Sequence, residues 1–402
     1  MAISPFFFAK VPPIHFGTEK IEQLPSLLKS VKAHNVLVVT GGTSLEHSGN
    51  WSAIQSLLEQ NQINFERISY SGEPTTPDVD KLCQQYRPHQ IEAVVGIGGG
   101  SVIDLGKALS AMLPHQNSIF DHLEGVGKGI PHSGVKLPYF AIPTTSGTGG
   151  EVTKNAVISE VGKNGYKKSL RHDNLIPDGI IIDGNLLTSC PRHITVACGL
   201  DAFTQLLEPF LSPTASPLTD AIALSGIEKV AEYFLPACGS EANNPRVREG
   251  MAYASLCSGI CLANAGLGIV HGLASPVGGL FPIPHGVVCG TLMAMANKVT
   301  LEAMRAREPQ NPALVKMSRV GKILSTETGK SEHYYADFLI HTLSEWTEQL
   351  ALPKFSDYGV KARDLETIVE QTSNRNNPIK LTREEIKSIL SSRLTGEQPP
   401  SG

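Results

Sequence analysis

The stretch Ala93-Val-Val-Gly-Ile97-Gly98-Gly99-Gly100-Ser101-Val-Ile-Asp104 decides the fold of the first half of the chain. Its uninterrupted apolar run predicts a buried strand of a parallel sheet, and the glycines after it predict a tight turn into a helix. Glycines let the backbone approach a diphosphate closely, and the unpaired amides at a helix start attract an anion. Residues 98–101 are therefore candidates for binding the phosphates of a dinucleotide.

The same turn has a second interpretation. Ser101 and Asp104 are spaced as a helix-capping pair, which needs no ligand. The turn also lacks the Gly-x-Gly-x-x-Gly fingerprint of dinucleotide-binding folds, so that fingerprint supports neither interpretation. Three adjacent glycines are more than a plain cap needs, and Asp104 stays with residues 98–101 as a candidate cofactor-binding residue.

Strand-like and helix-like segments alternate on both sides of this turn. The helix signals are an apolar face at Trp51, Ile54, Leu57 and Leu58, and Thr76-Pro77-Asp78, which resembles a capped start of a helix running to about Arg87. The alternation predicts a parallel sheet with crossover helices, and hence an α/β dinucleotide-binding domain over residues 1–186. The further strand candidates are Val36–Thr40, Phe65–Ser69, Tyr139–Ile142 and Gly179–Asp183.

From about residue 187 the strand-like runs give way to Ala-, Leu- and Ser-rich segments with helical spacing. Thr382-Arg-Glu-Glu385 is a capping box that predicts a helix over about 383–393. We expect an all-helical second domain over residues 187–402, ending in a frayed tail, and the length of 402 residues fits two domains. The other helical segments are Leu218–Phe234, Arg246–Ala265 and Glu332–Leu350.

The composition excludes several function classes. A net charge of −4 provides no general attraction to nucleic acids or anionic membranes. Nothing resembles a signal peptide, and no run of about 18 apolar residues could span a bilayer. The seven cysteines show no paired-ligand spacing, so we interpret them as reduced, buried thiols of a cytoplasmic protein.

Two further loops could contact a dinucleotide. Gly41-Gly42-Thr43-Ser44 follows a strand and carries no acid, which leaves room and donors for a ribose 2′-phosphate and favours NADP slightly over NAD. The loop over residues 143–151 is rich in hydroxyls and glycine and follows a strand toward the ligand-binding edge of the sheet. An ordinary turn and a flexible loop are the alternatives, and Lys167 and Lys168 beyond it have the pattern of solvated lysines.

Asp201, His271 and His285 are candidate ligands for a divalent metal, since one carboxylate and two imidazoles leave a coordination position open for a reactant. Asp201 and Gln205 share one helix face if Gly199 precedes the helix start. We place His271 near a helix start and His285 in a Pro-His-Gly turn. Spacing alone cannot show that these segments converge, and core or capping roles stay open.

Several motifs, in order along nearly the whole chain, resemble the iron-containing (group III) alcohol dehydrogenase family. They are Gly98–Asp104, Pro143–Glu151, Pro177–Asp183, Gly199–Glu208, His271–Gly278 and Pro284–Gly286. The resemblance implies an α/β dinucleotide domain, a helical domain and a metal between them. It also implies that members oxidise alcohols or reduce aldehydes and ketones with NAD(P), usually as homodimers.

Residue by residue, the resemblance makes Asp201, His271 and His285 metal ligands. It places the cofactor diphosphate at residues 98–101, the nicotinamide near Thr144, Thr145 and Thr148, and Lys167 near the cofactor. Gln205 stands where the family usually has a fourth histidine ligand, and Ser275 stands where it often has another histidine. Some relatives with only Asp, His and His hold zinc, so we favour Zn²⁺ slightly over Fe²⁺ and keep Gln205 as a further candidate ligand.

We hypothesise a reversible hydride transfer in which the metal polarises the substrate oxygen and the nicotinamide exchanges the hydride. A metal-independent reductase of the maleylacetate type is a rival, but Asp201 argues against it. A lyase resembling dehydroquinate synthase is another rival, but such an enzyme is expected to have an acidic residue at the position of Leu273. A non-catalytic nucleotide-binding protein is the third. The substrate expected is a small, uncharged alcohol or carbonyl compound.

Overall fold

The computed structural model describes residues 5–163 and 165–394. Six parallel strands form the main sheet, in the order β1-β8-β5-β4-β2-β3, and β6 and β7 form a separate antiparallel pair. The strands are β1 Ile14–Phe16, β2 Asn35–Gly41, β3 Asn64–Tyr70, β4 Ala93–Gly98, β5 Tyr139–Pro143, β6 Asn155–Glu160, β7 Tyr166–Arg171 and β8 Gly179–Ile182.

All five predicted strands are present, each within one residue of its predicted ends. The sequence does not predict β1, β6 or β7. β1 has three residues, too few for an alternating pattern, and Lys167, Lys168 and Arg171 obscure the alternation of β7. Charged residues are compatible with this position because β7 pairs only with β6, outside the main sheet.

Side chains of β2 alternate between two cores, one on each face of the sheet. Val36 and Val38 pack with residues of α1 and α3, while Leu37 and Val39 pack with residues of α4 and α5. Burial on both faces explains the continuous apolar runs of the central strands. The helices of this part are α1 Leu24–Ser30, α2 Ser44–His47, α3 Asn50–Gln60, α4 Thr76–Tyr86, α5 Gly100–Met112 and α6 Gly184–Leu187.

Residues 187–394 contain helices and no described strand, as predicted. α7 passes through the centre of their core and is buried almost throughout from Gly199 to Leu211. The helices are α7 Arg192–Leu211, α8 Pro217–Cys238, α9 Pro245–Ala265, α10 Ile269–Leu280, α11 His285–Arg307, α12 Pro312–Leu324, α13 Glu332–Gln349, α14 Leu365–Gln371 and α15 Arg383–Ser391. Short 3₁₀ turns lie at Lys20–Gln23, Arg87–His89, Ile119–His122, Gly150–Val152, Asp173–Leu175, Phe355–Tyr358 and Ala362–Asp364.

Of the described helices, α7 alone has the length and apolar content of a membrane span by itself, and 83% of that stretch is buried in the fold. α9 and α10 reach the same criterion only as a pair bent by 97°. A buried apolar helix at the centre of a packed domain is typical of a globular core.

Three local predictions were wrong. The cap of α4 is Thr75, whose side chain accepts from the Asp78 amide, and Thr76 is the first helical residue. Gly199 lies inside α7, because the helix begins seven residues earlier at Arg192. His285 is the first residue of α11, not part of a free turn. The capping box at Thr382 is confirmed.

Candidate metal and nucleotide site

The glycine turn after β4 is closely packed. A Cβ at Gly98 would lie 2.7 Å from the Cβ of Val102, and one at Gly100 would lie 2.9 Å from Thr148 Cγ2. A Cβ at Gly99 would lie 3.3 Å from Thr145 Cγ2. Since any larger residue would displace these neighbours, the backbone of the turn is kept free of side chains, which suits contact with a phosphate.

α5 starts at this turn without a side-chain cap. Its N-cap is Gly99, and neither Ser101 nor Asp104 forms the capping pair that their spacing allows. The alternative interpretation of the turn as a plain cap is therefore wrong. The unpaired amides at the start of a helix this long remain available for an anion.

The threonine loop, residues 144–150, lies against the glycine turn. The Thr144 amide donates to the Gly98 carbonyl at 2.9 Å. On its other side this loop meets the helical part of the molecule. A Cβ at Gly147 would lie 2.7 Å from the Cβ of Cys198 on α7, and the backbones of Gly149 and Gly259 approach each other closely. The loop is thus packed between the two halves of the chain, contrary to a free flexible loop.

A buried lysine that the sequence analysis overlooks holds the end of this loop. Lys107 of α5 is 1% exposed, and its Nζ donates to the carbonyls of Gly150, Thr153 and Asn155 at 2.8, 2.8 and 2.9 Å. Burial lowers the pKa of Lys107, and the Asp104 carboxylate opposes that shift. The sequence did contain a signal for this buried lysine, because Lys107 follows Asp104 by three residues on a helix that is otherwise largely apolar.

The turn Gly41–Ser44 lies beside the glycine turn, because β2 and β4 are neighbouring parallel strands. A Cβ at Gly41 would lie 3.7 Å from Val102 Cγ2, in ordinary contact. Thr43 and Ser44 are exposed, and Thr43 is the N-cap of α2. Arg67 of β3 lies nearby, with its Nε donating to the Thr40 hydroxyl at 2.9 Å and its guanidinium paired with Glu46.

Asp201, His271 and His285 meet in space, although α7, α10 and α11 contribute one each. Asp201 Oδ1 lies 3.2 Å from His271 Nε2 and 3.7 Å from His285 Nε2. Asp201 is 1% exposed, the His271 side chain 8% and the His285 side chain 28%. The three donor atoms are close enough to bind one cation, and the cluster is most accessible at His285.

Glu208 fixes the orientation of His271. One carboxylate oxygen of Glu208 accepts from His271 Nδ1 at 2.7 Å, and the other accepts from the Val270 amide at 2.7 Å. With its proton on Nδ1, a neutral His271 presents the Nε2 lone pair to the Asp201 carboxylate. Two acceptors facing each other require a proton or a metal cation between them, so these residues can bind a metal ion.

Without a metal ion, the negative groups of the cluster act on the imidazole protons. Burial opposes ionisation of Asp201, but His285 and His271 hold its pKa well below the usual range. Burial also opposes protonation of His271, yet Cys289, Glu208 and Asp201 raise its pKa well above that of a free imidazole. Burial lowers the pKa of His285 to about 4, against the pull of Asp201.

Two further side chains border the cluster. Cys289 places its Sγ 3.6 Å from His271 Nε2 and 3.7 Å from His285 Nε2. From the sequence, Cys289 was interpreted only as a reduced, buried thiol. The four-residue spacing of His285 and Cys289 was the signal that could have found it, since residues i and i+4 share a helix face. Gln205, one turn after Asp201 on α7, contributes to lowering the pKa of Asp201. Its Oε1 is buried and has no partner among the described residues.

Lys167 lies between the cluster and α5. Its side chain is 11% exposed, and its Nζ is 2.5 Å from Glu73 Oε1. Its charge contributes to lowering the pKa of His285 and partly offsets the rise that burial causes in the pKa of Asp104. It is therefore not the solvated lysine that its pattern suggests. Ser275, which stands where the family often has a further histidine, is exposed and lies one turn after His271.

Comparison with known proteins places these features in context. The family profile described as "Iron-containing alcohol dehydrogenase" matches residues 12–184, and "Fe-containing alcohol dehydrogenase family, C-terminal" matches residues 195–394. The chain is 30% identical to alcohol dehydrogenase 4 of Schizosaccharomyces pombe, over 98% of this chain and 90% of that one. It is 28% identical to the NADPH-dependent butanol dehydrogenase of Clostridium saccharobutylicum, over 94% and 95%.

A crystal structure of 1,3-propanediol oxidoreductase superposes with a TM-score of 0.86 at 27% identity, covering 97% of this chain and all of that one. The fold class, a parallel sheet followed by an all-helical part, is thereby confirmed. These relatives do not favour the maleylacetate-type reductase, the lyase or the non-catalytic binding protein.

Proposed function

Because the chain belongs to the iron-containing alcohol dehydrogenase family, we propose that it interconverts a small, uncharged alcohol and its carbonyl form at a metal held by Asp201, His271 and His285. The observation that carries the proposal is the convergence of these three side chains beside a loop that also touches the glycine turn. A divalent cation supplies Lewis-acid polarisation of the substrate oxygen, and a nicotinamide supplies or accepts the hydride.

The sheet edge positions the cofactor in this proposal. The amides of Gly98, Gly99, Gly100 and Ser101 bind the diphosphate at the start of α5, and Asp104 lies one turn further along. Thr144, Thr145 and Thr148 offer hydroxyls without adding charge. Lys107 keeps the threonine loop in register with the glycine turn through its three carbonyl contacts.

In the helical half, Glu208 keeps the His271 proton on Nδ1 and so directs Nε2 toward the ligand position. His285 borders the accessible side, where a substrate would enter. Lys167, whose charge acts on His285, is neutralised by Glu73. A paired lysine offers little attraction to an anionic substrate, which supports an uncharged one.

For the cofactor we favour NADP slightly over NAD. Gly41, Gly42, Thr43 and Ser44 carry no acid at the strand end, where an acid would repel a 2′-phosphate. Arg67 lies beside this turn and offers a positive charge, partly offset by Glu46. Titration calorimetry with NADPH and NADH tests this preference, and Gly42→Asp should weaken NADPH binding about tenfold or more while sparing NADH.

We also propose a cytoplasmic homodimer. All seven cysteines are free, which suits a reducing compartment. The homodimer rests on the family expectation alone, and measurement of the molar mass in solution by light scattering tests it.

The decisive experiment measures NAD(P)-linked turnover across a panel of small alcohols and aldehydes, before and after chelation and after addition of Zn²⁺ or Fe²⁺. We expect chelation to abolish turnover and metal to restore it. Full activity in protein shown by elemental analysis to be metal-free would contradict the metal role. Turnover without binding of NADH or NADPH would contradict the cofactor assignment.

A further inference from the structure

We propose that Cys289 is a fourth protein ligand of the metal site, giving an Asp201-His271-His285-Cys289 donor set that prefers Zn²⁺ to Fe²⁺, with the substrate oxygen entering as a fifth ligand. The inference rests on the proposed metal site and adds to it a sulfur ligand. The cysteine lies in the first two turns of α11, one turn after His285, and is 0% exposed.

Four of the six distances between donor atoms are close to those of a tetrahedral zinc site. Bond lengths of about 2.3 Å to sulfur and about 2.0 Å to nitrogen or oxygen place a sulfur about 3.6 Å from a nitrogen at tetrahedral angles, and a nitrogen about 3.3 Å from an oxygen. The Cys289 sulfur lies 3.6 and 3.7 Å from the two imidazole nitrogens. The Asp201 oxygen lies 3.2 and 3.7 Å from the same two atoms.

A hydrogen-bonded thiol could make both contacts only by donating to one imidazole nitrogen and accepting from the other. A metal-bound thiolate makes both contacts whatever the imidazole tautomers, so the cobalt spectrum below distinguishes the two. All four donor atoms lie within 4.8 Å of one another. Convergence of two nitrogens, an oxygen and a sulfur around one point is the arrangement of a metal centre.

Gln205 is the other side chain beside the cluster that could act as a ligand. Its side chain is 3% exposed, and its Oε1 has no partner among the described residues. An amide oxygen binds zinc weakly, whereas a thiolate favours zinc over Fe²⁺, so we assign the fourth ligand position to Cys289.

Cobalt(II) substitution tests the inference directly, because a cobalt-bound thiolate produces an intense near-ultraviolet charge-transfer band that oxygen and nitrogen ligands do not produce. We expect this band in the wild-type protein loaded with Co²⁺ alone, and its loss in Cys289→Ser. Cys261→Ser is the matched control, since Cys261 is also 0% exposed and lies on α9, and it should keep the band.

Competition with a chelator should show that Cys289→Ser and Cys289→Ala each lower Zn²⁺ affinity on the order of 100-fold, with a smaller loss for Fe²⁺. If both variants fail to fold, the spectrum of the Co²⁺-loaded wild-type protein still shows whether a thiolate binds the metal. Stoichiometric Co²⁺ binding without the band overturns the role of Cys289 and leaves the proposed metal site intact. No binding of Co²⁺ or Zn²⁺ overturns the metal site as well.

Discussion

Two regions of the molecule present different groups to a ligand: the edge of the sheet where we propose that the nucleotide binds (the nucleotide edge), and the proposed metal cluster in the helices. At the edge, the contact surface consists of glycine backbone and threonine hydroxyls, and Gly98, Gly99 and Gly100 leave no room for a Cβ without displacing a neighbour. In the cluster, Asp201, His271 and Cys289 are ionisable side chains held in the interior. In the function that we propose, the first region binds a nucleotide through its backbone, and the second binds a metal ion through its donor side chains.

This difference predicts how each region responds to substitution. A backbone cradle depends on space, so adding a methyl group should disturb it and removing a facing methyl group should restore it. A buried cluster of charges depends on each partner, because removal of one leaves the others uncompensated. The effects should also be separable, since the cradle and the cluster share no side chain.

The largest effect should come from Asp201→Asn. The change removes the only charge-bearing oxygen donor of the cluster, and we expect kcat/KM to fall about 10³-fold or more and bound metal to be lost. Elemental analysis and turnover assays measure both. NADPH affinity should change less than about twofold, because the cradle lies elsewhere. Asp337→Asn, an exposed residue paired with Arg305, is the matched control. A variant that loses cofactor affinity as strongly as metal would break the comparison.

Lys107→Met tests the buried lysine that holds the threonine loop. Methionine cannot donate to the carbonyls of Gly150, Thr153 and Asn155, so we expect the free energy of unfolding to fall by about 3 kcal/mol, measured with urea. Cofactor affinity should fall with it, because the threonine loop loses its anchor. Lys154→Met removes a 40% exposed lysine paired with Asp173 and should cost less than about 1 kcal/mol. Equal losses in the two variants would show that Lys107 has no special role.

Glu208→Gln should have a smaller effect, confined to the cluster. Glutamine can accept only one of the two hydrogen bonds that Glu208 accepts from His271 and Val270. We expect metal affinity to fall about 10–100-fold, measured by chelator competition. The exposed Glu232→Gln should leave the affinity unchanged. Unchanged metal affinity in Glu208→Gln would mean that the orientation of His271 is fixed by packing alone.

The two regions also differ in what the sequence could predict. The edge was predictable because its parts are contiguous, with a strand, a glycine turn and a helix within one short segment from Ala93 onward. The cluster was not, since its donors come from α7, α10 and α11, and their convergence required the family resemblance. Cys289 was missed because a cysteine in an apolar segment has the pattern of a core residue. The hairpin of β6 and β7 was missed because its lysines hide its periodicity.

Gly100→Ala should have the smallest effect, and it tests most directly whether packing around the glycine turn determines nucleotide binding. Its new methyl group would lie 2.9 Å from Thr148 Cγ2, and we expect NADPH affinity to fall about tenfold, measured by titration calorimetry. Thr148→Ala removes that methyl group, so the double variant should bind NADPH about as well as Thr148→Ala alone. Metal content should stay constant in all three variants. If the double variant binds no better than Gly100→Ala, the glycine is required for a reason other than the threonine beside it, and the edge is not a cradle defined by packing.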